Sequence, residues 1–133
     1  MTKREEYEHL LKRSKEFYLT ATLQIEHGLF GLATFSLEQA VQLFLKAKLI
    51  MMGVDYPRTH SIRRLLELLA QVVDEDSSRI LSALVSKYSL ELASLEDAYI
   101  TSRYFPREFR REDAERLKRI VDEVMSIVSR IIG

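Results

Sequence analysis

Apolar positions recur with a helical period almost from one end of the chain to the other. Tyr7, Leu10, Leu11, Phe17, Tyr18, Ala21 and Ile25 keep a 3.6-residue spacing, with Ser14 filling the register between them. Thr2 and Glu5 stand at the T-x-x-E spacing of a capping box, so this first helix starts at the N-terminus. His27-Gly28 ends it, the glycine suiting a left-handed cap and the histidine the negative end of the dipole. The next stretch, Leu29 to Met52, is apolar nearly all round a helical wheel: Leu32, Phe35, Leu37, Val41, Leu43, Phe44, Leu45, Leu49 and Ile50. That is the pattern of a central, enclosed helix, and Gly53 ends it.

The second half continues in the same period. VDYPRTHSI is an irregular connector, because Pro57 biases Tyr56 away from helix. Thr59 or Ser61 can cap a short third helix carrying Ile62, Leu65, Leu66, Leu68 and Leu69 and ending near Val73. A polar linker, 74–78, offers Asp76 or Ser77 as a cap. Ile80, Leu81, Leu84, Val85, Tyr88, Leu92, Leu95 and Tyr99 then predict one long fourth helix running to about Tyr104, where Pro106 stops it. After the connector FPREFRR, the acidic Glu112, Asp113 and Glu115 suit a helix start, and Leu117, Ile120, Val121, Val124, Val128 and Ile131 carry the last helix. No strand alternation or repeat appears. The expected fold is one all-α domain over 1–133, an antiparallel up-and-down bundle of about five helices, four long and one short.

The central helix breaks its own pattern. Glu38, Gln42 and Lys46 recur at i, i+4, i+8 and form one polar stripe along it. Burying charge is costly unless the charge is paired or used. Two readings stay open: a structural ion-pair seam, or one wall of a ligand site.

Composition narrows the function classes. Lys plus Arg and Asp plus Glu number 20 each in 133 residues, so no global field recruits nucleic acid or anionic lipid. The absence of cysteine removes disulfides, thiolate nucleophiles and cysteine-ligated zinc. The most apolar windows are interrupted by Glu38, Gln39, Gln42, Lys46 and Lys48, so no membrane span is expected. The charged N-terminal stretch lacks the apolar run of a signal peptide, and a cytoplasmic location is expected.

Two further places could carry chemistry. Arg58-Thr59-His60-Ser61 sets a histidine between the second and third helices, able to bind phosphate or exchange protons near neutral pH. As an isolated residue, His60 is better read as capping or packing the loop, and nearness to the lysine stripe would reverse that reading. Arg103, Arg107, Arg110 and Arg111 form a local basic excess interleaved with Tyr104, Phe105 and Phe109, a composition that suits phosphate contact and base stacking, or a solvated charge run. No phosphate-binding glycine loop, H-E-x-x-H or G-x-S-x-G motif is present. His9 and His27 lack metal-spaced partners, so no metal site and no cofactor are expected.

S-L-E-Q-A-V-Q-L-F-L-K-A-K-L on the second helix, T-H-S-I after it and A-Y-I-T-S-R-Y-F-P closing the fourth together resemble the HEPN domain family, in order and over nearly the whole chain. The resemblance implies a small helical protein, usually a homodimer, linked to nucleotide binding and often encoded beside a minimal nucleotidyltransferase partner. It carries Glu38, Lys46, His60, Arg103 and Tyr104 over as nucleotide-binding positions. A toxin branch of that family cleaves RNA with a late R-x(4–6)-H motif; here no histidine follows Arg103, so no catalytic pair is assigned. The expected function is a nucleotide-binding or interaction module. An RNA-cleaving toxin with an altered site and a purely structural dimerisation domain are the alternatives.

Overall fold

The computed structural model describes residues 1–104 and 108–133, with the side chains of 101–103 also outside the description. Six helices follow one another: α1 (Lys3–Glu26), α2 (Phe30–Met51), α3 (Ile62–Ala70), α4 (Glu75–Lys87), α5 (Ser89–Tyr104) and α6 (Arg111–Ile131). The capping box forms as expected, with the Glu5 N–H donating to the Thr2 hydroxyl at 3.1 Å and the Thr2 N–H to the Glu5 carboxylate at 3.3 Å. Gly28 and Gly53 take positive φ, 74° and 77°, after α1 and α2, where a side chain would be strained.

α1 and α2 form a long hairpin whose contact line is made of small residues. Ser14 and Ala21 on α1 and Ala33, Ala40 and Ala47 on α2 are all enclosed, each set at seven-residue spacing. The Ser14 hydroxyl reaches across the seam to donate to the Ala40 carbonyl at 2.6 Å. A seven-residue repeat keeps one face of each helix on the other. α2 is central, packed against α1, α3, α5 and α6. Its Leu37, Val41, Leu45 and Leu49 join Leu65, Leu69, Leu92, Leu95, Val121 and Val124 in the main core. The face of α2 bearing Leu32, Phe35, Gln39, Leu43 and Lys46 alone stays partly open.

The long fourth helix of the sequence reading is two helices. The chain turns at Tyr88 (φ −112°, ψ 24°) while the hydrogen-bond ladder continues through it, the Tyr88 N–H donating to the Leu84 carbonyl and the Leu92 N–H to the Tyr88 carbonyl. The bend lets α4 lay Leu81 and Leu84 on α3 while α5 turns Leu92, Leu95 and Ala98 into α2. The Tyr88 hydroxyl holds the corner by donating to the Glu123 carboxylate on α6. Two ends also differ. Asp74, not Asp76 or Ser77, caps α4, accepting from the Ser77 N–H at 3.0 Å, so most of the expected linker is helix. α3 stops at Ala70. Among the described residues no helix is long and apolar enough to cross a membrane.

Candidate ligand site

The stripe on α2 is a hydrogen-bonded chain organised by one amide. The Lys46 ammonium donates to Gln42 Oε1 at 2.9 Å. Gln42 Nε2 in turn donates to Glu38 Oε1 at 2.5 Å and lies 3.1 Å from His60 Nδ1. Lysine can only donate, so Oε1 must face Lys46 and the NH2 group must face Glu38 and His60. With both neighbours of that NH2 group accepting, His60 Nδ1 is the unprotonated nitrogen and the ring proton sits on Nε2. Gln39 Nε2 donates to the second Glu38 oxygen at 2.7 Å. Glu38 is thus wholly enclosed, with both oxygens engaged.

The connector between α2 and α3 is bound to this chain from both sides. The His60 ring stacks on Tyr99 of α5, centroids 3.8 Å apart and planes 22° apart, and Tyr99 lies 6.1 Å from the Phe35 ring of α2. Glu96, one turn before Tyr99, clamps the start of α3. Its Oε2 accepts from the Arg63 N–H at 3.0 Å, Arg63 Nε at 3.1 Å and the Ser61 hydroxyl at 3.3 Å, and its Oε1 from Arg63 Nη2 at 3.0 Å. Ser61 also caps α3, accepting from the Arg64 N–H at 3.1 Å, which selects between the two candidate caps. On the other flank Lys46 Nζ lies 5.3 Å from the Tyr56 ring centroid, and the Tyr56 hydroxyl donates to Glu6 of α1 at 3.0 Å.

Burial dominates the electrostatics. Loss of water pushes the Glu38 carboxyl up to about 7 from an ordinary 4.5, against the opposing pull of the two glutamine amides and Lys46 and with a further push from Glu96. Lys46 is held below its usual value, chiefly by burial, with Glu38 acting in the opposite sense. A carboxyl whose pKa lies at about 7 is protonated part of the time near neutral pH.

Glu38, Lys46 and His60 come together, joined through Gln42. Tyr104 sits at the exposed end of α5, five residues beyond the His60 platform Tyr99. The Arg103 side chain, and Phe105 and Arg107 of the basic run, lie outside the described residues. Sequence reasoning placed Gln42 in the stripe without seeing that it joins the others. It also missed Tyr99, read as a core position, and the Glu96–Arg63 clamp, which looks in sequence like two ordinary surface charges. Among the described residues no cluster of three or more His, Asp or Glu could hold a metal. A separate recess of about 290 Å³ opens between α5 and α6, bounded by Leu90, Glu91, Phe109 and Arg116, away from this network.

A sequence model of the HEPN domain matches residues 7–131. The chain belongs to the HEPN domain family. Its fold is similar to the crystal structure of TT1696 from Thermus thermophilus, with a TM-score of 0.74 and 24% identity over 93% of this chain and 96% of that one. No curated protein matches the sequence. Within this HEPN fold the stripe, His60 of the T-H-S connector and Tyr99 of α5 meet at one place, although they are far apart in sequence.

Proposed function

We propose that this HEPN protein is a nucleotide-binding module that acts with a minimal nucleotidyltransferase-type partner, in the cytoplasm and as a homodimer. The observation that carries the ligand site is Lys46. It is a half-buried ammonium whose polar partner is a neutral amide oxygen, and among the described residues it makes no carboxylate ion pair. A lysine in that setting keeps donors for an anionic group, and phosphate is the anion that nucleotides present. Beside it, on the same amide, His60 brings an imidazole to the site, and its stack on Tyr99 next to Phe35 adds aromatic character of the kind that suits a base. Glu38 acts from behind, holding Gln42 rather than touching the ligand. The family resemblance adds Arg103 and Tyr104 as further nucleotide-binding positions in the sequence.

One observation favours a second reading. Among the described residues no buried side-chain nitrogen or oxygen lacks a partner, so the network is complete without a ligand, as in a structural seam of a dimerisation domain. Ribonuclease activity has less support, since no histidine follows Arg103 to share the acid–base work.

The deciding experiment is calorimetric titration of wild type and Lys46→Ala with ATP, CTP, AMP, NAD and a short RNA. Saturable binding to wild type that Lys46→Ala abolishes is expected. No heat with any ligand, or equal binding by the mutant, transfers the stripe to the structural reading.

A further inference from the structure

The nucleotide-binding reading makes Lys46 the anion contact, and resting on that reading we infer that anion binding there draws a proton onto Glu38. Glu38 is enclosed, and its two oxygens meet only the Gln42 and Gln39 amides among the hydrogen bonds of the stripe. Among the described residues the charged and titratable groups facing it are few. Lys46 lies two turns along the same helix, Glu96 faces it from α5 while paired to Arg63 of α3, and His60 of the connector meets it through Gln42. Lys46 is the one cation among these that favours the ionised carboxylate without being matched by a carboxylate of its own. A phosphate seated on Lys46 cancels that attraction and adds negative charge nearby. The carboxylate then gains most by becoming neutral.

The network also says which oxygen receives the proton. A proton on Oε1 would face the Gln42 NH2 group, and Gln42 cannot turn over while Lys46 holds its oxygen and His60 its nitrogen. A proton on Oε2 faces Gln39, which is only half-buried and can rotate its amide to accept. The carboxyl thus protonates on the Gln39 side, leaving the Lys46–Gln42–His60 arrangement in place. No bond other than O–H forms, and the proton comes from solvent.

With Glu38 poised near neutrality, a shift of one pKa unit on binding takes up roughly 0.4 proton at pH 7 and weakens binding roughly fivefold from pH 6 to pH 8. The test is titration of wild type with NAD and with a hydroxyl-ended RNA tetranucleotide, neither of which has a group titrating in that range. Each is run at pH 6, 7 and 8, in two buffers of different ionisation enthalpy. Expected is proton uptake in wild type, retention of that uptake in Lys46→Arg, which keeps the charge but does not titrate, and loss of it in Glu38→Gln. Binding without proton uptake, or with the same uptake in Glu38→Gln, overturns the coupling while leaving the site. Loss of uptake in Lys46→Arg assigns the proton to Lys46 and also overturns it. Absence of binding by wild type removes the site and the coupling together. Glu38→Gln is checked for its helical circular dichroism first; should it not fold, Lys46→Arg and the buffer comparison still decide.

Discussion

The His60 imidazole lies on the Tyr99 ring at 3.8 Å, joining a connector residue to a helix 39 positions later in the chain. This contact orders the connector at the point where the polar stripe meets it. Replacing Tyr99 with Leu is expected to lower stability by about 1–2 kcal/mol, since aromatic pairs contribute about 0.5–1.5 kcal/mol beyond their burial. Tyr99→Phe keeps the stack and stays nearer wild type. Urea denaturation measures the first effect, and faster amide exchange at His60 and Ser61 in Tyr99→Leu measures the loosened connector.

Glu38 sets the sign of a pH dependence. Its folded pKa is raised, so the folded state holds the proton more strongly than the unfolded chain. The associated stability is fully present below about 4.5 and is lost as pH rises through about 7. The full shift corresponds to about 3 kcal/mol, an order-of-magnitude figure for this wholly enclosed group. Glu38→Gln lacks this slope. Urea unfolding at pH 5, 6.5 and 8 should show the mutant gaining on wild type as pH increases; parallel curves would assign the slope elsewhere.

The Glu96 clamp predicts an asymmetry between its partners. Glu96→Ala leaves the Arg63 guanidinium, the Ser61 hydroxyl and a backbone N–H of α3 without their shared acceptor. It is expected to cost about 2–3 kcal/mol. Arg63→Ala leaves Glu96 still bound to Ser61 and that N–H, and should cost about half as much. Thermal unfolding of the two single mutants and the double mutant gives the coupling directly.

Lys48 offers a stabilising change. It is 5% exposed, flanked by the Phe44 ring at 5.3 Å and the Tyr7 ring at 6.0 Å, and pairs with no carboxylate among the described residues. Burial, followed by repulsion from Lys15, holds its pKa below the usual value, so the unfolded chain binds its proton more strongly. Stability therefore rises as pH climbs toward the ordinary lysine range of 10.5. Lys48→Met, similar in length and uncharged, is expected to raise stability at pH 7 by about 1 kcal/mol, partly offset by the lost ring contacts. Unfolding at pH 7 and pH 10 checks it, with the advantage shrinking at the higher pH.

Much of the fold is written in local pattern. The all-round apolar wheel of α2, the Thr2–Glu5 box and the glycine ends needed only nearest neighbours along a helix. The break at Tyr88 could not be seen in that way, because Leu81, Leu84, Tyr88, Leu92 and Leu95 stay in one helical phase straight through it. What bends the chain is the difference between the surfaces α4 and α5 pack on, which is tertiary information. The site divides along the same line. Glu38, Gln42 and Lys46 share a helix and declare themselves by spacing. Tyr99 and Glu96 matter only because the connector arrives beside them, and in sequence the first looks like core and the second like solvent.

The small-residue seam between α1 and α2 has a consequence beyond packing. Glu6, which holds Tyr56 beneath Lys46, stands on α1, and the distance from α1 to α2 is set by the methyl groups of Ala33, Ala40 and Ala47 and the hydroxyl of Ser14. The distance between Lys46 and the Tyr56 ring beneath it is thus gauged by volume withheld several turns away. Drift in side-chain size along that seam would shift α1 against α2 without altering a single residue of the stripe, so homologues with identical polar stripes need not hold Tyr56 at the same distance from Lys46.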